Sequence, residues 1–126
     1  MKVIHKKVNF EDKRGTITDI FVNSPKDHIT IIHTKKGAVR GNHYHKKSTQ
    51  YTFVVSGQLT HLTQKTGQKK IYKHILQPND LMISDPGEVH AMTADKDTVF
   101  LALVDGLRGG KNYEKDTIRI DKPLKF

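Results

Sequence analysis

This 126-residue chain contains no cysteine and no apolar run of the length that a membrane span requires. Without cysteine, disulfides and thiolate metal sites are excluded. A spanning helix needs about 20 consecutive apolar residues, so we expect no association with a membrane. The first residues, Met-Lys-Val-Ile-His-Lys-Lys-Val, also lack a long apolar run, so we expect no signal peptide and a cytoplasmic protein.

Acidic residues are few relative to basic ones, at 13 Asp plus Glu against 22 Lys plus Arg, and the formal net charge is +9. A basic surface attracts phosphates, including those of nucleic acids. The basic residues are scattered, however, and the chain shows no recognition-helix pattern, zinc-finger spacing or aromatic RNA-binding motif. We therefore expect no nucleic-acid partner. A small anionic substrate such as a nucleotide fits better, because its charge need only meet a pocket.

Helical periodicity is missing too, and the pattern is one of short β-branched, alternating segments divided by turns. Such a series indicates an all-β sandwich or barrel, of which the jelly roll is one form. At this length we expect a single domain over residues 1–126, with a tail from residue 105 that wraps the surface or a partner subunit. The predicted strands are 15–22, 29–34, 51–55, 58–64, 70–76, 81–83, 89–94 and 98–104.

The most informative segment runs from Gly37 to Gly57 and contains His43 and His45. Alternate residues of a strand share a face, so the two histidines point the same way, roughly 6.5–7 Å apart. Arg40 is one residue out of phase, but a bulge or turn at Gly41-Asn42 can absorb that shift. Two imidazoles on one wall suit either a metal bound by neutral ring nitrogens or proton transfer near neutral pH.

A second segment, residues 79–90, reads as a turn, a short apolar strand, a Pro-Gly turn and a third histidine, His90. Together the two segments resemble the cupin superfamily, whose fold is a jelly roll. The first cupin motif is matched in spacing at Gly37, His43, His45, Gln50 and Gly57, with Gln50 where the common motif has Glu. The second is matched at Asp80, Pro86, Gly87 and His90, whereas Asn79 and Asp85 depart from it. The resemblance therefore implies a single-domain cupin jelly roll.

Closer resemblances are to two families of small nucleotide-sugar cupins. Residues 10–21, with Asp-Lys-Arg-Gly-Thr-Ile, and residues 39–45, Val-Arg-Gly-Asn-His-Tyr-His, are similar to segments of dTDP-4-dehydrorhamnose 3,5-epimerases. Residues 40–50 resemble the Arg-Gly-x-His-x-His-Lys-x-x-x-Gln run of dTDP-sugar 3,4-ketoisomerases. These resemblances imply a homodimer that needs no cofactor. They also imply an isomerase or epimerase that acts on a nucleotide-linked 4-keto-deoxysugar by histidine acid–base chemistry, in polysaccharide biosynthesis.

The resemblance also implies roles for particular residues. His43 and His45 match the catalytic histidines. Arg40 matches an arginine that binds the nucleotide diphosphate, and Arg14 lies where these families place another arginine on the substrate side. Gln50 is predicted to bind substrate or to hydrogen-bond a histidine. The family's catalytic tyrosine and its supporting aspartate cannot be placed; Tyr51, Tyr72 and Tyr113 are candidates only by residue type.

Two other functions stay open. His43, His45, Gln50 and His90 form a possible metal set for zinc, nickel, manganese or iron, as in a cupin oxygenase or sugar isomerase. His90 is equally well explained as a packed or hydrogen-bonded pocket histidine. The third possibility is a non-catalytic sugar- or nucleotide-binding cupin.

Overall fold

The computed structural model describes residues 2–106 and 114–126, and the described residues contain twelve strands. The first six are β1 (Lys2–His5), β2 (Phe10–Asp12), β3 (Gly15–Ile17), β4 (His28–Thr34), β5 (Val39–His45) and β6 (Thr49–Ser56). The others are β7 (Leu59–Lys65), β8 (Tyr72–Leu76), β9 (Asp80–Ser84), β10 (Glu88–Ala94), β11 (Thr98–Asp105) and β12 (Thr117–Arg119). No helix in this part of the chain is long and apolar enough to cross a membrane.

Ten of the strands form two five-stranded antiparallel sheets. The first sheet has the order β1-β9-β6-β11-β4 and the second the order β12-β5-β10-β7-β8, while β2 and β3 pair only with each other. Strands adjacent in sequence therefore alternate between the two sheets from β4 to β7 and again from β8 to β12. The predicted all-β jelly roll is confirmed.

One end of the space between the sheets is an apolar core, and the other end is polar. The core contains Val54, Leu59, Leu76, Met82, Met92, Ala94 and Phe100, all buried. Further along the same inner faces lie the buried polar residues Gln50, Thr52, Thr63 and Ser84 and the three motif histidines. The inward-facing side chains are alternate residues of each strand. On each sheet they are apolar at one end of the inner face and polar at the other.

A bulge in β5 turns Arg40 toward the same side as His43, as the sequence predicts. The register between β5 and β10 shifts between His90 and Ala91, and Gly41 and Asn42 have φ of 94° and 60°. A Cβ on Gly41 would lie 2.6 Å from the carbonyl oxygen of His90, so only glycine fits there. The extra residue brings both side chains to the inner face.

Parts of the predicted strand pattern differ from the structure. The strand predicted at 15–22 ends at Ile17, because Ile20 and Phe21 pack across the outer face of the first sheet rather than pairing with a neighbour. β1 was not predicted, since it is a short strand made by long-range pairing with β9. The described part of the predicted tail lies on the surface of this chain: β12 pairs with β5, and Leu124 packs on the outer face of the second sheet. Residues 107–113 of the tail lie outside the described residues.

Candidate active site

Three buried histidines meet at the polar end of the space between the sheets. His43 and His45 come from β5 and His90 from β10, and their potential ligand nitrogens all lie within 4.8 Å of one another. The ring of His43 meets the ring of His90 nearly at right angles, with centroids 4.7 Å apart. The register opposes His43 directly to His90, which is why residues 47 positions apart share one site.

His45 is held on both ring nitrogens. Its Nε2 lies 3.2 Å from Gln50 Oε1, and its Nδ1 lies 3.3 Å from Thr117 Oγ1. Because an amide oxygen only accepts, Nε2–H donates to Gln50 and Nδ1 accepts from the Thr117 hydroxyl. This arrangement fixes the ring of His45 and the orientation of the Gln50 amide.

Asp116 supports the same histidine from the tail. Its Oδ2 lies 4.0 Å from His45 Nδ1, and its carboxylate accepts hydrogen bonds from the backbone N–H groups of Lys47 and Ser48 at 2.8 and 3.2 Å. Burial would raise the pKa of Asp116, but these bonds and one from the Ser48 side chain outweigh it and lower the pKa. A stable anion therefore faces the rear of His45.

His90 is neutral at physiological pH. It is only 1% exposed, and its Nδ1 donates to the carbonyl oxygen of Glu88 at 3.4 Å. Burial, followed by the nearby His43 and His61, lowers the pKa of His90 well below its usual value. His61 stacks behind it, with ring planes 21° apart and centroids 6.2 Å apart.

A cavity of about 180 Å³ opens in front of these histidines. One wall belongs to the second sheet and carries Arg40, Gly41, His43, His90 and Met92; the facing wall belongs to the first sheet and carries Ile32, Gln50, Phe100 and Ala102. All the titratable lining residues among those the structure describes are therefore on one wall. His45 does not line the cavity and instead lies behind Gln50.

Arg40 lies at the rim of the cavity. Its Nε donates to Thr34 Oγ1 at 2.8 Å and an Nη to the carbonyl oxygen of His33 at 3.4 Å. These two bonds leave three of the five guanidinium N–H donors for a ligand.

Arg14 and the candidate tyrosines lie elsewhere. Arg14 forms an ion pair of 2.7 Å with Asp12 in the exposed β2–β3 hairpin, so its role in substrate binding stays a prediction. Tyr51 lies on the outer face of the first sheet; burial and a hydrogen bond to Asp105 raise its pKa to about 12. Tyr72 lines a different cavity, and Tyr113 lies outside the described residues.

The residues present fit a divalent metal only in part. Three buried imidazoles whose nitrogens lie within 4.8 Å of one another are a suitable donor set. The predicted fourth ligand, Gln50, has its carbonyl oxygen bonded to His45, and the same bond engages the Nε2 of His45. Metal binding at all four positions would require this bond to break.

Sequence reasoning missed Asp116 and Thr117, both of which contact His45 across more than 70 positions of the chain. Their only signal was their location within the predicted tail. The apolar wall residues Phe100 and Ala102 were missed as well, because alternation identifies an inward face but not the cavity that it lines.

One known protein family matches most of this chain. The family described as the polysaccharide biosynthesis C-terminal domain matches residues 10–103. No curated protein sequence matches the chain.

Solved structures share the fold over nearly the whole chain. A dTDP-4-dehydrorhamnose 3,5-epimerase from Sulfolobus tokodaii has a TM-score of 0.79 and 22% identity over 98% of this chain and 81% of its own. A 3,4-ketoisomerase from Helicobacter canadensis has a TM-score of 0.80 and 19% identity over 94% and 90%. A sugar 3,4-ketoisomerase from Thermoanaerobacterium thermosaccharolyticum, solved in complex with TDP, has a TM-score of 0.76 and 24% identity over 95% and 88%. The predicted resemblance to small nucleotide-sugar cupins is thus confirmed for the fold.

Proposed function

The chain belongs to the polysaccharide biosynthesis C-terminal domain family, and on that premise we propose that it isomerises a nucleotide-linked 4-keto-deoxysugar by moving the carbonyl from C4 to C3. The fold it shares with sugar 3,4-ketoisomerases and 3,5-epimerases supports this class of substrate. The arrangement of the cavity supports the keto shift over epimerisation.

The observation that carries this choice is the one-sided placement of proton-transferring groups. Epimerisation at C3 or C5 removes a proton from one face of the sugar ring and delivers one to the other face. Arg40, His43 and His90 all lie on the wall formed by the second sheet. Among the described lining residues the facing wall offers only apolar side chains and the amide of Gln50. A keto shift needs a single base on a single face, which this cavity supplies.

His43 is the base in this proposal. Its neutral ring removes the proton from C3, and the bonding electrons flow toward the C4 carbonyl to form an enediolate. The hydroxyl proton of O3 passes to O4. The imidazolium of His43 then returns its proton to C4 on the same face, and the carbonyl forms at C3. Protons and electrons balance without a co-reactant. General acid–base catalysis of this kind typically raises the reaction rate by roughly 10²–10⁴-fold.

Gln50 and His45 act as a pair. The bond from His45 Nε2 engages the carbonyl oxygen of Gln50, so the amide N–H₂ of Gln50 remains free to donate to a substrate oxygen. Asp116 and Thr117 hold the ring of His45 from behind. We therefore assign substrate binding to Gln50 and a positioning role to His45.

Arg40 is placed to bind the diphosphate. Its guanidinium is a planar cation, and the three N–H donors that do not bond to Thr34 or His33 lie at the rim of the cavity. A planar guanidinium can hold two phosphate oxygens at once.

The test uses the wild-type protein in D₂O with dTDP-, UDP- and GDP-linked 4-keto-6-deoxy sugars, followed by NMR. The expected product carries its carbonyl at C3, with a hydroxyl-bearing carbon at C4 and an unchanged configuration at C5. His43→Asn should remove the reaction, whereas Tyr44→Phe should retain it, because Tyr44 packs on the outer face of the same strand.

Inversion at C3 or C5 would establish an epimerase instead. Ligand-induced thermal stabilisation with no product or exchange would favour a non-catalytic binding protein.

A second candidate function, a metal-dependent cupin enzyme, is favoured by the convergence of His43, His45 and His90. These three residues would hold the ion, and a bound metal would supply a Lewis acid that polarises a substrate carbonyl. Elemental analysis of protein purified without an affinity tag separates the two candidates. Less than about a tenth of an equivalent of metal in a fully active protein would reject the metal-dependent reading.

A further inference from the structure

An arginine on β12 lies beside His43. The register of β12 and β5 opposes Thr117 to His45 and Arg119 to His43. Directly opposed residues of a sheet point to the same side, with Cβ atoms roughly 4.5–5.5 Å apart. The contact between Thr117 Oγ1 and His45 Nδ1 identifies that side as the inner face, and the residue after Arg119, Ile120, packs against the cluster on the outer face. The side chain of Arg119 therefore points to the inner face, level with His43.

Arg119 also lies at the open side of the cavity. Its strand is the edge of the second sheet, as β4 is the edge of the first. The two edges lie on the same side of the sandwich, because Arg40 of β5, the strand next to β12, bonds to Thr34 of β4, and Ile32 of β4 lines the cavity. Arg119 is exposed there. Its side chain can therefore reach a ligand that enters in front of His43.

The guanidinium of Arg119 is not engaged by the protein. Among the residues that the structure describes it has no hydrogen-bond or ion-pair partner, whereas Arg14 pairs with Asp12 and Arg40 bonds to β4. All five of its N–H groups can thus donate to a ligand, and a planar guanidinium can bond two oxygens at once. An unpaired cation that shares a face with the candidate base is suited to a ligand on which negative charge develops.

Arg40 and Arg119 lie at different levels of the cavity. On β10, Met92 opposes Arg40 and His90 opposes His43. These two residues of β10 are two positions apart, so Arg40 is displaced from the level of His43 by roughly 6.5–7 Å along the strands. Arg119 is at the level of His43 itself. A substrate whose diphosphate is bound by Arg40 and whose reacting carbons lie against His43 therefore presents its sugar oxygens, and not its phosphates, to Arg119.

We propose that Arg119 is a catalytic residue whose guanidinium donates to O3 and O4 of the keto sugar and stabilises the negative charge that develops on these oxygens as His43 removes the proton from C3. This proposal rests on the proposed function and adds to it the group that holds the enediolate. Arg119 only donates hydrogen bonds and transfers no proton, so the balance of protons and electrons is unchanged. Donors that are already in place where charge develops are often the largest single contribution to catalysis.

Binding without turnover gives the first test. Calorimetric titration compares dTDP-, UDP- and GDP-glucose, whose sugar has no keto group and cannot react, with the corresponding nucleoside diphosphates. In Arg119→Gln the affinity for the nucleotide sugar should fall by about tenfold, the scale of one hydrogen bond to a charged group, and the affinity for the diphosphate should not change. Arg40→Lys should weaken both ligands by the same factor. Lys122→Gln, which removes an exposed charge from the same tail, should weaken neither. An unchanged affinity for the nucleotide sugar in Arg119→Gln, or an equal loss for both ligands, would overturn the proposal.

Turnover gives the second test. Arg119→Gln should lower kcat by roughly 10²-fold at an unchanged melting temperature, and guanidinium added at millimolar concentration should restore part of the rate in Arg119→Ala. A loss of rate that guanidinium does not restore would mean that the side chain only supports β12, and would contradict the proposal. If the wild type binds a nucleotide sugar but isomerises no 4-keto sugar, the proposed function fails, and the ratio of the two affinities still decides whether Arg119 binds the sugar. A wild type that binds none of these nucleotides would reject both.

Discussion

Acid should destabilise this protein through His61, which is fully buried between the sheets. Burial and then the neighbouring His74 lower the pKa of His61 to about 4, against an ordinary value near 6.5. Above pH 6.5 the ring is neutral in both the folded and the unfolded chain and contributes no pH dependence. As the pH falls from about 6.5 to about 4, the unfolded chain binds a proton that the folded chain refuses, so the free energy of unfolding decreases.

The magnitude follows from the width of this window. Each unit of difference between the pKa of a group in the folded and in the unfolded chain changes the free energy of unfolding by 1.36 kcal/mol. For His61 this difference is about 2.5 units, so the free energy of unfolding falls by roughly 3 kcal/mol across the window. This is a large part of the 5–15 kcal/mol by which a typical domain is stable. The pKa of His90 is lowered as well, which adds to the loss in the same direction.

Urea denaturation at several pH values between 7.5 and 4.5 measures the effect. In His61→Leu the free energy of unfolding should fall less steeply with acid, by up to about 1.4 kcal/mol per pH unit, because one of the protons taken up on unfolding is gone. Met92→Leu changes the residue directly opposite His61 without removing an ionisable group, so it should shift the free energy equally at every pH. Parallel pH profiles for wild type and His61→Leu would refute the reasoning.

Three further predictions concern the site and the surface. Arg40→Lys keeps the charge but loses the planar fork, so binding of thymidine diphosphate should weaken by roughly 1–3 kcal/mol in a calorimetric titration, and equal affinities would remove the argument for a diphosphate site. Gly41→Ala should lower the free energy of unfolding by at least about 1–3 kcal/mol, because φ is 94° and the added methyl meets the backbone of His90; an unchanged urea midpoint would contradict this. The protein should form a homodimer, since the edge strand β4 exposes Ile29 at 62% and Ile31 at 58%. Light scattering at micromolar concentration should give twice the chain mass and Ile29→Lys should reduce it, whereas a monomeric wild type would count against the prediction.

The inferences from sequence that succeeded depend on local backbone chemistry. Alternation over residues 39–45 predicted one strand with His43 and His45 on a common face, and the Gly-Asn pair predicted the bulge that brings Arg40 to the same side. Both depend on residues within a few positions of one another, and glycine is the residue that tolerates positive φ. The spacing of the two histidine motifs likewise indicated the cupin fold before any contact was known.

What only the tertiary structure decided is which inward-facing residues meet. Alternation identifies the face of a strand but not its partner strand or its register, and these are set by pairing between segments far apart in the chain. Asp116 and Thr117 reach His45 only because β12 pairs with β5, and Gln50 is engaged by His45 only because the two sheets face each other. The segment after Ile17 is a second example. Its alternating apolar residues predicted a strand, but they pack on the outer face of the first sheet, and the local sequence does not indicate that sheet. The sequence by itself therefore determined the strand that carries His43 and His45, the bulge within it and the side to which the two histidines point. The contacts that decide how each histidine is used came from packing, because a non-local contact forms only when the whole register is in place.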